Sequence, residues 1–398
     1  MTRLIRPSAL WLLCAMAFGG FATAAAVAAD YPIVNLTQNM GSVQVAAPAI
    51  SDNGTVFFPV RLPSQGLDLP RAFIYQSRNG VTTPLREVPL DQMGNVGFPS
   101  ANASGAIAVH GSNFRLNDIV IPNAIYTISP AGELTRVVDT TGQFKSISPA
   151  QITETGGVVF EATLDDGTIG IFNGPDPLAN RVVDWSGPFG VVKFTYLAPD
   201  GSPLFIGTMP GTANRLAAYK GSDPQADLVL DLGKYRFATD FQQNARGQVL
   251  FLGTNVPGSP TGGLYTGADP VADRLIDATT PLRPIRGFLN DNGQIAIWGT
   301  TADGVMGLFA GTDPVADKII SVGDPLFGST LAQLLIDPSA PGAFNNRGEL
   351  AFGYRLADGT FGVALVTVPE PAALGLLAIG SLALLRRRPR VPGNVAGQ

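Results

Sequence analysis

The chain has 398 residues, of which 45% are hydrophobic and only 14% charged, with a formal net charge of −5. Its single histidine and single cysteine exclude disulfide frameworks, iron–sulfur clusters, cysteine zinc sites and histidine-rich metal sites. Apolar residues are plentiful enough to build a core, so the low charge does not mean disorder.

The first predicted element is a secretory signal peptide over residues 1–29. Arg3 and Arg6 form its basic start and Ala9 to Phe18 its apolar core. Ala26-Val27-Ala28 or Val27-Ala28-Ala29 supplies the cleavage pattern. Cys14 lies inside it, and Leu12 and Leu13 stand where a lipoprotein signal needs small residues. The apolar run is too short to span a bilayer.

Residues 30–368 form the predicted ectodomain, with 30 acidic and 20 basic residues. That excess of negative charge argues against nucleic acid or anionic lipid as a partner. Gly, Pro and β-branched residues abound, no long amphipathic helix stands out, and the profile is that of many short strands joined by tight turns.

A turn-and-strand pattern recurs through this region. Ser51-Asp52-Asn53-Gly54, Asn102-Ala103-Ser104-Gly105, Thr153-Glu154-Thr155-Gly156, Ala198-Pro199-Asp200-Gly201, Asn244-Ala245-Arg246-Gly247, Asn290-Asp291-Asn292-Gly293 and Asn345-Asn346-Arg347-Gly348 each precede a strand-like run such as Gln248-Val249-Leu250-Phe251. The seven glycines are 51, 51, 45, 46, 46 and 55 residues apart. A period of that size marks a repeat architecture with one supersecondary unit per copy. Asn and Gly tolerate positive φ, so each Asn reads as a turn former. A second motif follows in four copies: Gly174-Pro175-Asp176-Pro177, Gly221-Ser222-Asp223-Pro224, Gly267-Ala268-Asp269-Pro270 and Gly311-Thr312-Asp313-Pro314. Asp before Pro suits a single helical turn with Asp as its cap. The spacing of Asp269, Asp273 and Asp277 suggests calcium, but the glycine and terminal Glu of a calcium loop are missing.

Each unit is expected to hold four strands, the last ending at Asp91, Asp139, Asp184, Asp231, Asp277 or Ser321. The seventh unit runs out after Phe361–Val368 without such a strand, while Pro32-Ile33-Val34-Asn35 is spare and resembles Arg274-Leu275-Ile276-Asp277. From the last polar residue to the next turn glycine, five units take 14, 17, 17, 16 and 16 residues, Asn35 to Gly54 takes 19, and Ser321 to Gly348 takes 27. The expected fold is an all-β, seven-bladed propeller-like ring over 30–368, closed by Ile33–Asn35 beside Phe361–Val368, with an insertion in the seventh unit. Closure leaves no long unpaired edge.

Catalytic candidates are few. His110, after an alternating Ala-Ile-Ala-Val run, reads as a strand-end residue, so neither Ser-His-Asp nor Cys-His machinery is expected. Glu154, Glu161, Asp165 and Asp166 qualify by type for a two-carboxylate glycosidase, but Asp165-Asp166-Gly167 reads as a hairpin turn like Asp303-Gly304 and Asp358-Gly359. Trp185 and Trp298 are the candidates for an exposed aromatic platform, with blade packing the simpler reading. No catalytic, cofactor or metal residue is assigned, and the expectation is a non-enzymatic structural or binding protein. A carboxylate-dependent glycoside hydrolase or lyase is the alternative. An acid or aromatic cluster at one mouth of the ring that breaks the repeat pattern would separate the two.

The chain ends in three parts: Pro369-Glu370-Pro371, the apolar run Ala372 to Leu385, and Arg386-Arg387-Arg388, with a short tail over 391–398. The run is roughly 20 Å long if helical, short against about 30 Å of hydrocarbon, and the arginines would sit at the cytoplasmic face. These residues resemble the PEP-CTERM sorting signal of Gram-negative bacteria over 369–390. The resemblance implies a membrane-anchor helix held transiently in the inner membrane, an exosortase as processing partner, final placement at the cell surface or in the extracellular matrix, and exopolysaccharide as a possible partner. The turns resemble those of exported proteins with tandem Asn-x-x-Gly-x-x-Ala-Phe repeats, which Asn345–Phe352 fits in full; Thr153 and Ala198 depart from that pattern. That resemblance implies no activity and no site residues.

Overall fold

The computed structural model describes residues 31–368, apart from 39, 41–42, 63–70, 89–94, 113, 117–118, 213, 255–261, 278 and 337–341. The predicted signal peptide and the sorting tail, including Pro369, Glu370, Pro371 and Arg386 to Arg388, lie outside the described residues.

Seven antiparallel sheets follow one another around a ring. Blade three is typical. Its inner strand is Phe144–Ile147 continued by Gln151–Ile152, followed outward by Val158–Leu164, Ile169–Phe172 and Arg181–Asp184. Blades four, five and six repeat the order with inner strands Val192–Leu197, Phe237–Gln243 and Leu282–Leu289. The Asn-x-x-Gly turn always joins the inner strand to the second, with glycine φ between 72° and 88°. In blade seven the order is Ser329–Leu335, Glu349–Leu356, Phe361–Thr367 and then Ile33–Asn35 from the other end of the chain. Ile33, Val34 and Asn35 lie opposite Val366, Leu365 and Ala364. The 27-residue interval before Gly348 is explained by an added hairpin, Pro325–Leu326 with Ser329–Leu335.

The core is divided among the blade interfaces. Seven apolar clusters each bridge two successive blades. One of them joins Ile50, Val56 and Phe58 of blade one to Ala351 and Val363 of blade seven, so the ring is closed by packing as well as by pairing. In blades three, four and five the aromatic residue after the turn fills this space. Phe160, Phe205 and Phe251 stack on Phe172, Tyr219 and Tyr265 with centroids 6.0, 5.6 and 5.8 Å apart. Phe144, Phe189 and Tyr235 close the three pairs edge-on. Such geometry adds about 0.5–1.5 kcal/mol per pair to area burial.

The Asp-Pro loops are the expected capped turns. Asp176, Asp223, Asp269 and Asp313 each accept hydrogen bonds from the backbone N–H groups two and three residues on. The residue four places on returns the bond: Asn180, Asp227, Asp273 and Asp317 accept from the N–H of the capping Asp. Asp273 is therefore part of a reciprocal cap, and no cluster of metal-ligating side chains occurs among the described residues.

Four details differ from expectation. The last strand of blade one is Val81–Val88, and Asp91 lies outside the described residues. The last strand of blade five stops at Ile276, with Asp277 beginning the next connection by accepting from the N–H of Thr279. His110 sits inside Ile107–Ser112, because the strand continues through Gly111 to pair with Ala124 and Asn95. Trp185 is 43% exposed, whereas Trp298, at 7%, packs in the interface of blades six and seven.

Candidate binding site in the propeller channel

The turns do more than reverse the chain. Asn290 Oδ1 accepts from the N–H of Gln294, closing its own turn, while its Nδ2 donates to the carbonyl of Asn345 in the next blade. Asn244 reaches Asn290, Asn345 reaches Ser51, and Asn102 reaches Thr153 in the same way, all at 3.0 Å. In blade one Asn53 takes this part by donating to the carbonyl of Ala103. A side-chain amide carries an acceptor and a separate donor on different atoms, which suits Asn to making both bonds at once. The second turn residue adds a stitch: Ala245, Asp291 and Asn346 donate their N–H groups to the side chains of Asp291, Asn346 and Asp52. The turns of blades five, six, seven, one, two and three are thereby linked in series.

Thr153 and Ala198 break the series. Blade three is tied to blade four by Gln151, whose amide donates to the carbonyl of Thr195 and accepts from the N–H of Leu197. Among the described residues no hydrogen bond joins the turn of blade four to that of blade five.

Two chambers meet at Gln151 and Tyr196: the first is ringed by residues of all seven blades, and the second lies beside this arc. The one at the turn face, about 330 Å³, is walled by turn residues, including Asp52, Glu154 and Asp291. These carboxylates are committed: Glu154 accepts from the N–H of Ala103, Asp52 from Asn346, and Asp291 from Ala245 and Asn346. The second chamber, about 300 Å³, is lined by Ser148, Glu161, Lys193, Tyr196, Asp240 and Arg286 among others.

The inner strands are bulged where they line this second chamber. The register slips between Phe144 and Ser146, Phe194 and Tyr196, Thr239 and Gln242, and Pro284 and Arg286. A bulge bends a strand and redirects a side chain. In blade five the slip takes two residues, and Asp240 within it has a φ of +53°. Non-glycine residues in that region cost about 1 kcal/mol or more and gather at functional sites. Burial pushes the Asp240 carboxyl up to about 6, and no cation or donor among the described residues offsets it. Arg286 is only 1% exposed, with its guanidinium over the rings of Tyr196 and Phe288 at 5.4 and 5.1 Å. Glu161 accepts from Lys193 Nζ at 3.3 Å and from the N–H of Phe194 at 3.2 Å. The Tyr196 hydroxyl is buried and makes no hydrogen bond.

Of the carboxylates singled out by type, Glu161 faces the second chamber and Glu154 the first, on separate sides of Gln151. Asp165 and Asp166 are exposed on an outer hairpin, where Asp166 accepts from the N–H of Thr168 and Gly167 has a φ of +88°. Trp185 lines neither chamber; its indole N–H donates to the carbonyl of Val192.

Asp240 and Arg286 were legible in principle. Each stands seven residues before its turn glycine, where the other blades have Ala47, Phe98, Pro149, Phe194 and Pro341. Two consecutive charges at an otherwise apolar repeat position are a departure of the kind a site requires.

The channel has a direction. Val368 donates its N–H to the carbonyl of Gly348 at 2.7 Å, and its carbonyl accepts from Gln294 Nε2 at 2.9 Å. The chain therefore leaves the ring at the turn face, and the first halves of the inner strands, Asp240 among them, lie toward the opposite face. The segment leaving at Val368 carries its own signature. Residues 367–390 match the PEP-CTERM protein-sorting motif. The motif implies export, transient membrane anchoring and processing by exosortase. Among the described residues no helix is long and apolar enough to cross a membrane.

No curated protein matches the sequence. Among solved structures, prolyl oligopeptidase B from Galerina marginata is similar, with 10% identity and a TM-score of 0.51 over 85% of this chain and 50% of that one. The present chain thus spans half the length of that enzyme. The β-propeller domain of the Trilobed protease from Pyrococcus furiosus has 14% identity over 72% of this chain and 98% of that one, with a TM-score of 0.39. An acylaminoacyl peptidase from Pyrococcus horikoshii has 9% identity over 88% and 56%, with a TM-score of 0.49. At these identities the likeness is one of fold, and fold does not transfer activity.

Proposed function

We propose that this exported, exosortase-processed propeller is a surface-displayed or matrix-released binding protein without enzymatic activity, and that its ligand is a hydroxyl-rich polysaccharide. The reading rests on the second chamber, which a redirected carboxylate without a donor lines together with Glu161, Lys193 and Arg286. A concave site with a few convergent polar groups is the usual form of a ligand pocket. The signal peptide over 1–29, the anchor helix within 369–390 and kinship with exported tandem-repeat proteins belong to the same reading.

One observation favours a second reading, a carboxylate-dependent glycoside hydrolase or lyase. Asp240, raised to about 6, shares its chamber with Glu161, and glycosidases pair an acid held protonated with a second carboxylate. A glycan array probed with the detergent-purified full chain tests both. Retained glycans without new reducing ends support binding. Product release that stops in Glu161→Gln replaces it with catalysis.

A further inference from the structure

We propose that the Asp240 chamber receives a free primary ammonium group carried on a sugar, so that the ligand is an amino sugar that is not N-acetylated. The inference rests on the saccharide reading above and adds the ligand's class.

The argument starts from what each charged group in the chamber already holds. Lys193 lies 3.3 Å from Glu161. Arg286 lies over the faces of Tyr196 and Phe288. Asp240 has neither a cation nor a hydrogen-bond donor among the described residues, and its carboxyl responds to burial alone. Glu161, Lys193, Tyr196 and Arg286 are the other titratable groups lining the chamber, and none supplies that missing charge. A half-buried carboxylate without a partner is costly, and the cost is relieved best by a group bringing both donor protons and positive charge. A sugar hydroxyl brings only the proton. An acetamide brings an N–H and a methyl group, with no charge.

The backbone supports the same assignment. The bulge and the left-handed φ of +53°, a region that costs a non-glycine residue energy, place Asp240 on the chamber wall. The site lies toward the face opposite Val368, so it stays open while the tail is anchored.

The test is calorimetric titration of the detergent-purified full chain with three probes: the glucosamine disaccharide, its N-acetylated counterpart and the glucose disaccharide. Near pH 7 the glucosamine disaccharide is expected to bind about tenfold or more tightly than either of the others. Asp240→Asn, which keeps the shape and tolerates positive φ, is expected to lose that preference while unfolding cooperatively. Binding by the parent should weaken as pH falls through about 6, where Asp240 takes up its proton, and the variant should show no such slope. Equal binding of the three probes, or an unchanged preference in Asp240→Asn, overturns the amine assignment and leaves the saccharide reading intact. Absence of binding by all three, with a blank glycan array, removes both.

Discussion

The two halves of the turn face are built differently. From blade five through blades six, seven, one and two to blade three, each turn hands an amide N–H to the next, and four of the five residues that do so are buried, Asn102, Asn244, Asn290 and Asn345, while Asn53 of blade one is half-buried. From blade three to blade five the turn amide is missing, because Thr153 and Ala198 occupy the position, and Gln151 ties blade three to blade four instead. The second chamber lies beside this second arc, while the first is ringed by residues of all seven blades. A buried amide with both ends satisfied fixes geometry, whereas leaving one end unpaired costs about 1–3 kcal/mol. The stitched arc is thus scaffold. Asp240, which lines the second chamber, has no donor among the described residues. Natural proteins break their own repeat rules mainly where function requires it.

The comparison can be broken first at the closure on which both arcs depend. Deleting Tyr31–Leu36 removes the strand paired with Phe361–Thr367 and the Leu36 contact with blade seven. It should lower the melting temperature by several degrees, measured by circular dichroism. A smaller effect separates the arcs. Asn345→Ala removes the cross-blade bond to the carbonyl of Ser51, which keeps the N–H of Gly54, and strands two N–H groups of its own turn, and should cost about 2 kcal/mol in denaturant unfolding. Thr153→Ala, at the matching position of the unstitched arc, should cost less than about 1 kcal/mol, since its hydroxyl bonds only that of Thr155.

Asp240 sharpens the contrast from the other side, because it is a liability to the fold. Its folded pKa of about 6 lies above the ordinary 3.8. Below about pH 4 the folded and unfolded chains both carry the proton and nothing is lost. Between 3.8 and 6 the unfolded chain ionises first and the penalty grows, reaching full size above 6. Asp240→Asn should therefore stabilise the protein by up to about 2 kcal/mol near neutral pH. The gain should vanish near pH 4 in the same unfolding assay. The smallest effect concerns the Asp-Pro loops. Their carboxylates are occupied by backbone caps, so adding calcium or a chelator should shift the melting temperature by less than about a degree.

Much of the scaffold was legible because it depends on local chemistry. The turn glycines need positive φ, the Asp-Pro loops cap themselves, and the phase of Ile33–Asn35 predicts its pairing with the seventh unit. The amides were legible only in part: Asn290 as a turn former is local, but its second bond goes to Asn345, 55 residues away. The chamber was hidden for a related reason. Strand alternation assigns faces only while the register holds, and the inner strands slip at the residues that line the channel. Asp240 and Arg286 signal the site only when the blades are counted back from their glycines. Trp185 and Trp298 share a residue type, and their burial follows from position: one opens a connection and the other lies mid-strand between two blades.

The claim that the ring is stitched along one arc and open along the other is tested most directly by native-state amide hydrogen exchange at the turns. The N–H groups of Ala103, Ala245, Asp291 and Asn346, each donating to a neighbouring blade, should exchange slowly, near the rate set by global unfolding. The N–H of Glu154, at the same turn position in the open arc, should exchange orders of magnitude faster. Equal protection at all five amides would contradict the division of the ring into scaffold and site.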